Sequence, residues 1–392
     1  MGSEPGLGGK PGMPSFGAIY MDANATEPLR PAARAAMLAA LDVGGNPSSV
    51  HDPGRAARRL MEDSREAIAR HFGVRPRDVV FTSGGTEADA LAVHALGCRR
   101  RLVVSAIEHD AIRAAAAGAE TFPVSRSGVA DLDRLEALLK GQAPALVCLM
   151  LANNETGVIQ PVTEAAMLCS RFGAWLHVDA VQAAGRMAVD RTALGCHSVA
   201  ISSHKLGGPA GVGALLLAPD IGHIPPLIAG GGQELGRRGG TPPVAPIAGF
   251  AAAVGATRNP ASVAPLRDLM DGVAPLRDRA EAAAVACGAV VCGGDAPRLP
   301  NTTCIALPGV RADAQVIALD LEGIAVSAGA ACSSGKVAAS HVLAAMDLGP
   351  LAGQAIRLSL PWTATDADVA YFAAAYERMA ARLRPALVSS AA

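Results

Sequence analysis

Aromatic residues are scarce in this 392-residue sequence, at 3%, although 51% of it is apolar. The core must therefore come from alanine, valine, leucine and isoleucine. Neither sign of charge dominates either. Lys and Arg number 34 against 35 Asp and Glu, a formal net charge of −1, which excludes the broad basic surface that nucleic acid or an anionic membrane demands. Long apolar runs are missing too. Stretches such as residues 145–152 are far too short to cross a bilayer. The eight cysteines (Cys98, Cys148, Cys169, Cys196, Cys287, Cys292, Cys304 and Cys332) contain no CxxC pair, and most sit in apolar settings such as LVCLM. That excludes a disulfide framework or a zinc site, and it points to buried thiols in a reducing cytoplasm. Residues 1–17 lack the basic start and apolar centre of a secretory signal; rich in Gly, Pro and Ser, they read as a flexible tail.

Alternation of helix and strand patterns is what the sequence does have. Residues 55–72 repeat apolar residues at helical spacing, DVVFTS (78–83) is β-rich, and residues 86–96 return to helix. RLVVS (101–105), ALVCLML (145–151), WLHVD (175–179), SVAIS (198–202) and VGALLL (212–217) continue the series. Continuous apolar strands separated by helices predict an α/β fold with a mostly parallel sheet covered on both faces. From about residue 259 the pattern changes to alanine-rich helices, TTCIALP (302–308), AIRLSL (355–360) and a last helix from about Asp366. The division expected is a large domain over 18–258 and a smaller α+β domain over 259–392, with residues 18–30 joining the smaller one.

Ligands of such sheets bind at the carboxyl ends of the strands, so the residues that follow each strand carry most information. Gly85 and Thr86 in GGTEAD open a helix and suit a phosphate held by backbone N–H groups, although such a turn by itself is an ordinary helix start. His109 follows the 101–105 run, Asn153 and Asn154 follow 145–151, Asp179 and Gln182 close and follow 175–179, and SSHK, with Lys205, ends 198–202. Singly, each is an ordinary cap or core group. Five strand ends sending polar side chains toward one edge call for a common ligand.

Pyridoxal 5'-phosphate is the cofactor whose chemistry uses this set. A lysine in a desolvated or cationic setting loses its proton and becomes a Schiff-base nucleophile. A carboxylate under the ring, here Asp179, keeps the pyridine nitrogen protonated and makes the ring an electron sink. Ser202, Ser203 and His204 then serve the phosphate. Cys332, in SAGAACSSG, is the one cysteine whose small-residue surroundings suggest an exposed loop.

With these residues in place the sequence resembles the cysteine desulfurases, pyridoxal-phosphate enzymes of aminotransferase class V and fold type I. The matching stretches include MDANATEP, GNPSSVH, FTSGGTEAD, LANNETGVIQP, HVDAVQAAG, SSHKLGGPAGVGAL, GGGQELGRRGGT, LEGIAVSAGAACSSG and AIRLSL, in the family's order from about residue 20 to 360. The resemblance implies that Lys205 anchors the cofactor, Asp179 partners its ring nitrogen, and Gln182 and Asn154 contact the ring oxygen and the substrate side. It implies that His109 stacks on the ring and moves protons, and that Thr86, Ser202 and His204 hold the phosphate. Thr241 would reach the phosphate of a second subunit's cofactor, which implies a homodimer. Arg357 would clamp the carboxylate of L-cysteine. Cys332 would take the sulfur as a persulfide, leaving alanine, and hand it to an acceptor protein such as an iron–sulfur scaffold or a tRNA-thiolation relay.

The sequence departs from the family pattern at Ser203, Leu206, Gly207, Gly239, Pro361 and Trp362. These positions concern the branch and the packing near the phosphate, and none removes a reacting group. The alternative on the same fold is selenocysteine lyase or another pyridoxal-phosphate lyase or aminotransferase.

Overall fold

The computed structural model describes residues 18–257, 272–329 and 339–384. After a short strand β1 (Ile19–Tyr20), seven strands build the large sheet: β2 (Val79–Thr82), β3 (Arg101–Ser105), β4 (Glu120–Phe122), β5 (Ala145–Cys148), β6 (Trp175–Asp179), β7 (Ser198–Ser202) and β8 (Gly213–Leu217). Their spatial order is β2-β8-β7-β6-β5-β3-β4. Strands β4, β3, β5, β6 and β7 run parallel, while β8 is antiparallel to both its neighbours.

Alternate residues of each strand feed two separate apolar layers, the consequence of a pleat with period two. Val79, Phe81, Val103, Val147, Val178, Val199 and Leu216 pack on one face. Val80, Val104, Leu146, Cys148, Ala200 and Leu215 pack on the other, against Leu91, Val93 and Leu96 of the Gly85–Gly97 helix. Burial on both faces is why these strands read as unbroken apolar runs.

A second sheet, order β12-β13-β10-β9, is antiparallel and is built from β9 (Val290–Val291), β10 (Thr302–Ala306), β12 (Ser327–Ala328) and β13 (Ala355–Ser359). Strand β11 (Ile324–Ala325) pairs in parallel with β1, and Met21 is buried in the core of this half of the molecule. The long helix Asp366–Leu383 covers that core with Phe372, Tyr376 and Met379, its start fixed by a capping box between Thr365 and Asp368. A further cluster, with Ile107 and Met150 from loops of the large sheet and Cys304, Ala306 and Ala355 from the smaller one, joins the two halves.

Of the cysteines within the described residues, five are buried, whereas Cys98 at the end of the Gly85–Gly97 helix is exposed and Cys287 is half-buried. Cys98 therefore departs from the buried-thiol expectation: a helix end reaches solvent whatever the hydrophobicity of its neighbours. Among the described residues no helix is long and apolar enough to cross a membrane.

Candidate active site

The carboxyl ends of the parallel strands open on a cavity of about 150 Å³. Gly85 and Thr86 line it from the first turn of their helix, His109 after β3, Asn154 after β5, Asp179 and Gln182 at and after β6, and Ser202, His204 and Lys205 at and after β7. Residues more than a hundred positions apart converge because each parallel strand delivers its last residue to the same edge. A larger cavity of about 660 Å³, lined by Arg58, Arg65, Glu234, Leu235 and Pro242 among others, contains none of these groups.

Lys205 sits in the short turn that follows β7, and its amine donates to the backbone carbonyls of Asn24 (2.5 Å) and Ala25 (2.9 Å). Burial, followed by the positive charges of Arg357 and Arg186, lowers its pKa from 10.5 to about 7, against the opposing pull of Asp22 and Asp179. An amine so placed is partly unprotonated at neutral pH, the state a nucleophile needs. His204, beside it, is pushed down to about 4 by burial and by the positive charges of Lys205 and Arg186, and its Nδ1 lies 3.2 Å from Thr26 Oγ1.

Asp179 ends β6 almost fully buried, and its Oδ1 accepts from the Val181 N–H at 2.8 Å. Burial raises its pKa, while that hydrogen bond and the nearby His109 and Lys205 lower it. A carboxylate in this position gains most from a cationic ring N–H placed opposite it. Two further buried acids stand close by. Asp89, one turn along the helix from Thr86, also lines the cavity and sits 3.1 Å from Nε2 of the fully buried His177, whose Nδ1 is 2.8 Å from Ser198 Oγ. Burial lowers His177 to about 3 and raises Asp89, so it opposes charge on both partners of this hydrogen bond. Glu108, next to His109, accepts from the Met150 N–H at 2.8 Å. Its burial pushes it up to about 8.

Sequence reasoning did not single out Asp89, His177, Glu108 or Arg186. The signals existed: Asp89 lies three positions after Thr86 on one helix face, and His177 lies two before Asp179 on one strand face.

The residues fit pyridoxal phosphate on several independent counts. Ser202 Oγ is buried at the cavity wall with no hydrogen-bond partner among the described residues, which suits a donor to a phosphate oxygen. A side chain at Gly85 would bring its Cβ to 2.6 Å from Val181 Cγ2, so only glycine leaves the cradle open. The lysine amine and the buried Asp179 complete the donor and acceptor set.

Other expected site residues lie elsewhere. Ser203 is fully buried and does not line the cavity; its Oγ lies within 2.1 Å of where a Cβ at Gly208 would stand, so it packs behind the Lys205 turn. Thr241 is exposed and apart from the cavity of its own chain. Arg357, on β13, stands just outside the cavity and donates to the Asn154 carbonyl at 3.0 Å. Cys332 lies outside the described residues.

An α/β fold carrying a half-buried lysine amine and a buried strand-end aspartate around one cavity defines the class. The family model described as aminotransferase class-V matches residues 19–372. An IscS-like cysteine desulfurase of Mycobacterium tuberculosis is 40% identical over 89% of this chain and 93% of its own length. A cysteine desulfurase of Cereibacter sphaeroides is also 40% identical, over 90% of this chain and 92% of its own. The solved structure of a NifS-like protein from Rickettsia africae superposes with a TM-score of 0.84 at 35% identity, covering 92% of this chain and 99% of that one. The chain belongs to the aminotransferase class-V family and, within it, to the cysteine desulfurases.

Proposed function

We propose that this protein converts L-cysteine to L-alanine with pyridoxal 5'-phosphate as cofactor, the sulfur passing to Cys332 as a persulfide. The observation that carries the reading is the Lys205 amine, held with a lowered pKa at the cavity that Asp179 and Ser202 also line. When bound, the cofactor supplies an electron-withdrawing ring that lets the α-carbon of cysteine give up a proton and weakens its hold on sulfur. The protein's residues do the rest. Lys205 would hold the group covalently, and its Nζ would hold or return the substrate's α-proton. Asp179 would accept from the ring nitrogen, and His109 would face the ring from the end of β3. Gln182 and Asn154 would orient the ring oxygen and substrate, and Thr86, Ser202 and His204 would hold the phosphate. Arg357 grips the substrate carboxylate with its planar fork.

Cys332 then forms a bond to the substrate sulfur as the carbon–sulfur bond breaks. Cysteine plus the Cys332 thiol thus gives alanine plus a Cys332 persulfide, with no external oxidant. An acceptor protein takes that sulfur onward. We further read the chain as a cytoplasmic homodimer, divided near residue 258 into a large and a small domain, with Thr241 serving the partner's cofactor. Support comes from the separate seven-stranded and four-stranded sheets, from the exposure of Thr241, and from Leu235, 70% exposed at the rim of the 660 Å³ cavity.

The test is to supply purified, cofactor-loaded protein with cysteine and follow alanine by amino-acid analysis and added sulfur by mass spectrometry. Wild type should yield alanine and carry sulfur on the Cys332 peptide. Cys332→Ser should bind the cofactor and respond spectrally to cysteine yet form no persulfide. Sulfur found on another cysteine, or near-normal alanine production by Cys332→Ser, would sink the assignment.

A further inference from the structure

Gln182 is held by a neighbour that the proposed chemistry does not use. Arg186, four residues on and 4% exposed, donates through Nη1 to both the Gln182 backbone carbonyl (3.2 Å) and the side-chain Oε1. Its Nη2 donates to the Ala23 carbonyl (3.0 Å) and to Glu27 Oε2 (3.3 Å). On the other side of the same amide, Gln182 Nε2 donates to the Asn24 carbonyl at 3.0 Å, the very oxygen that also accepts from Lys205 Nζ.

A guanidinium only donates hydrogen bonds, whereas a side-chain amide has one accepting and one donating end. The group that meets Arg186 must therefore be the amide oxygen. Rotating the amide would set NH₂ against a buried cation and oxygen against the Asn24 carbonyl, losing two bonds and creating two repulsions. We propose that Arg186 is a positioning residue: it locks the Gln182 amide with its oxygen toward Arg186 and its NH₂ toward Lys205, making Gln182 an obligate donor to the cofactor's ring oxygen.

Asn24 takes one of the two Nε2 hydrogens, which leaves one to offer. A donor in that place stabilises an anionic oxygen, while a rotated amide would repel it. The same guanidinium ties residues 23 and 27 to the turn after β6, so it also steadies the carbonyls of Asn24 and Ala25 that hold the Lys205 amine. The inference deepens the proposed function and rests on its cofactor assignment.

The test uses the cofactor-loaded protein without substrate, reading pyridoxal-phosphate retention by equilibrium dialysis and the pH midpoint of the visible absorbance band. Arg186→Met should retain the cofactor about tenfold less tightly, the size of one lost hydrogen bond to a charged group, and should raise the midpoint by about one pH unit. Glu27→Gln removes a partner of Arg186 while leaving its grip on Gln182; it should lower thermal stability and leave the midpoint in place. Should Arg186→Met not fold, Arg186→Met/Glu27→Leu removes both buried charges together, which proteins tolerate better, and the same loss of retention is required of it. Loss of the Arg186 charge beside Lys205 raises the midpoint by itself, so retention decides: a purely structural Arg186 would lower stability in every variant with retention within about twofold of wild type, and that result overturns the inference. Wild type that takes up no pyridoxal phosphate would overturn the proposed function, and this inference with it.

Discussion

Arg357 Nη2 stands 2.6 Å from Asp22 Oδ1, with the arginine side chain 3% exposed and the aspartate 17%. The second carboxylate oxygen of Asp22 accepts from Ser327 Oγ at 2.8 Å, so the residue expected to receive substrate is already aimed by an acid from the N-terminal segment. Among the described residues, Nε of Arg357 is buried without a partner, a donor left for an incoming carboxylate.

Arg357→Ala should raise KM for L-cysteine about ten- to hundredfold, the range for a lost charge-assisted hydrogen bond. It should also cost about 3 kcal/mol of stability, because Asp22 is left without its counter-ion. Adding Asp22→Asn should restore much of the stability and none of the KM. Steady-state kinetics and denaturant titration of both variants check this, and an unchanged KM would remove Arg357 from substrate binding.

Stability of the cofactor-free protein should carry the mark of Lys205. Its folded pKa of about 7 lies below the 10.5 of an unperturbed lysine. Below pH 7 both folded and unfolded chains are protonated there, and burial of the cation weighs fully on the fold. Between 7 and 10.5 the folded chain sheds a proton that the unfolded chain keeps, so stability rises with pH. Lys205→Met should consequently be more stable than wild type at pH 6, by on the order of a few kcal/mol, with the gap closing toward pH 10.5. Urea midpoints measured across that range decide the matter; a gap independent of pH would contradict the lowered amine pKa.

Glu108 should produce the opposite slope. Its folded pKa of about 8 exceeds the ordinary 4.5, through burial first and the charge of Asp179 second. Between those values the folded chain binds a proton that the unfolded chain lacks, so this group's contribution to stability is present below pH 4.5 and lost as pH climbs through 8. Glu108→Gln keeps an acceptor for the Met150 N–H and cannot ionise. Relative to wild type it should gain roughly 2 kcal/mol or more between pH 5 and pH 8.5. No gain across that interval would mean that Glu108 ionises normally in the fold.

Much of the fold was legible because its strands are buried on both faces. RLVVS, WLHVD and SVAIS coincide with β3, β6 and β7 residue for residue, since continuous apolarity with β-branched residues leaves few other conformations. Strand β4 went unread: ETF is short, half exposed at the sheet edge, and has no apolar run to announce it. The orientation of β8 was equally invisible, because GALLL reads the same whichever way it runs and only its pairing with β2 and β7 decides.

At the site, the sequence by itself determined which residues stand at strand ends, and so named Lys205, Asp179, Gln182, His109 and Ser202 as a set: local pattern fixes the end of a strand, and a parallel sheet sends all such ends to one edge. Tertiary structure alone decided what surrounds them. Arg186 reaches Gln182 locally, but its hold on Ala23 and Glu27, the Asp22–Arg357 pair spanning 335 positions, and the carbonyls of Asn24 and Ala25 that cradle the Lys205 amine all depend on the N-terminal segment folding back over the sheet. The lowered amine pKa follows from that closure, because desolvation and neighbouring charge act through space, and no spacing along the chain encodes them.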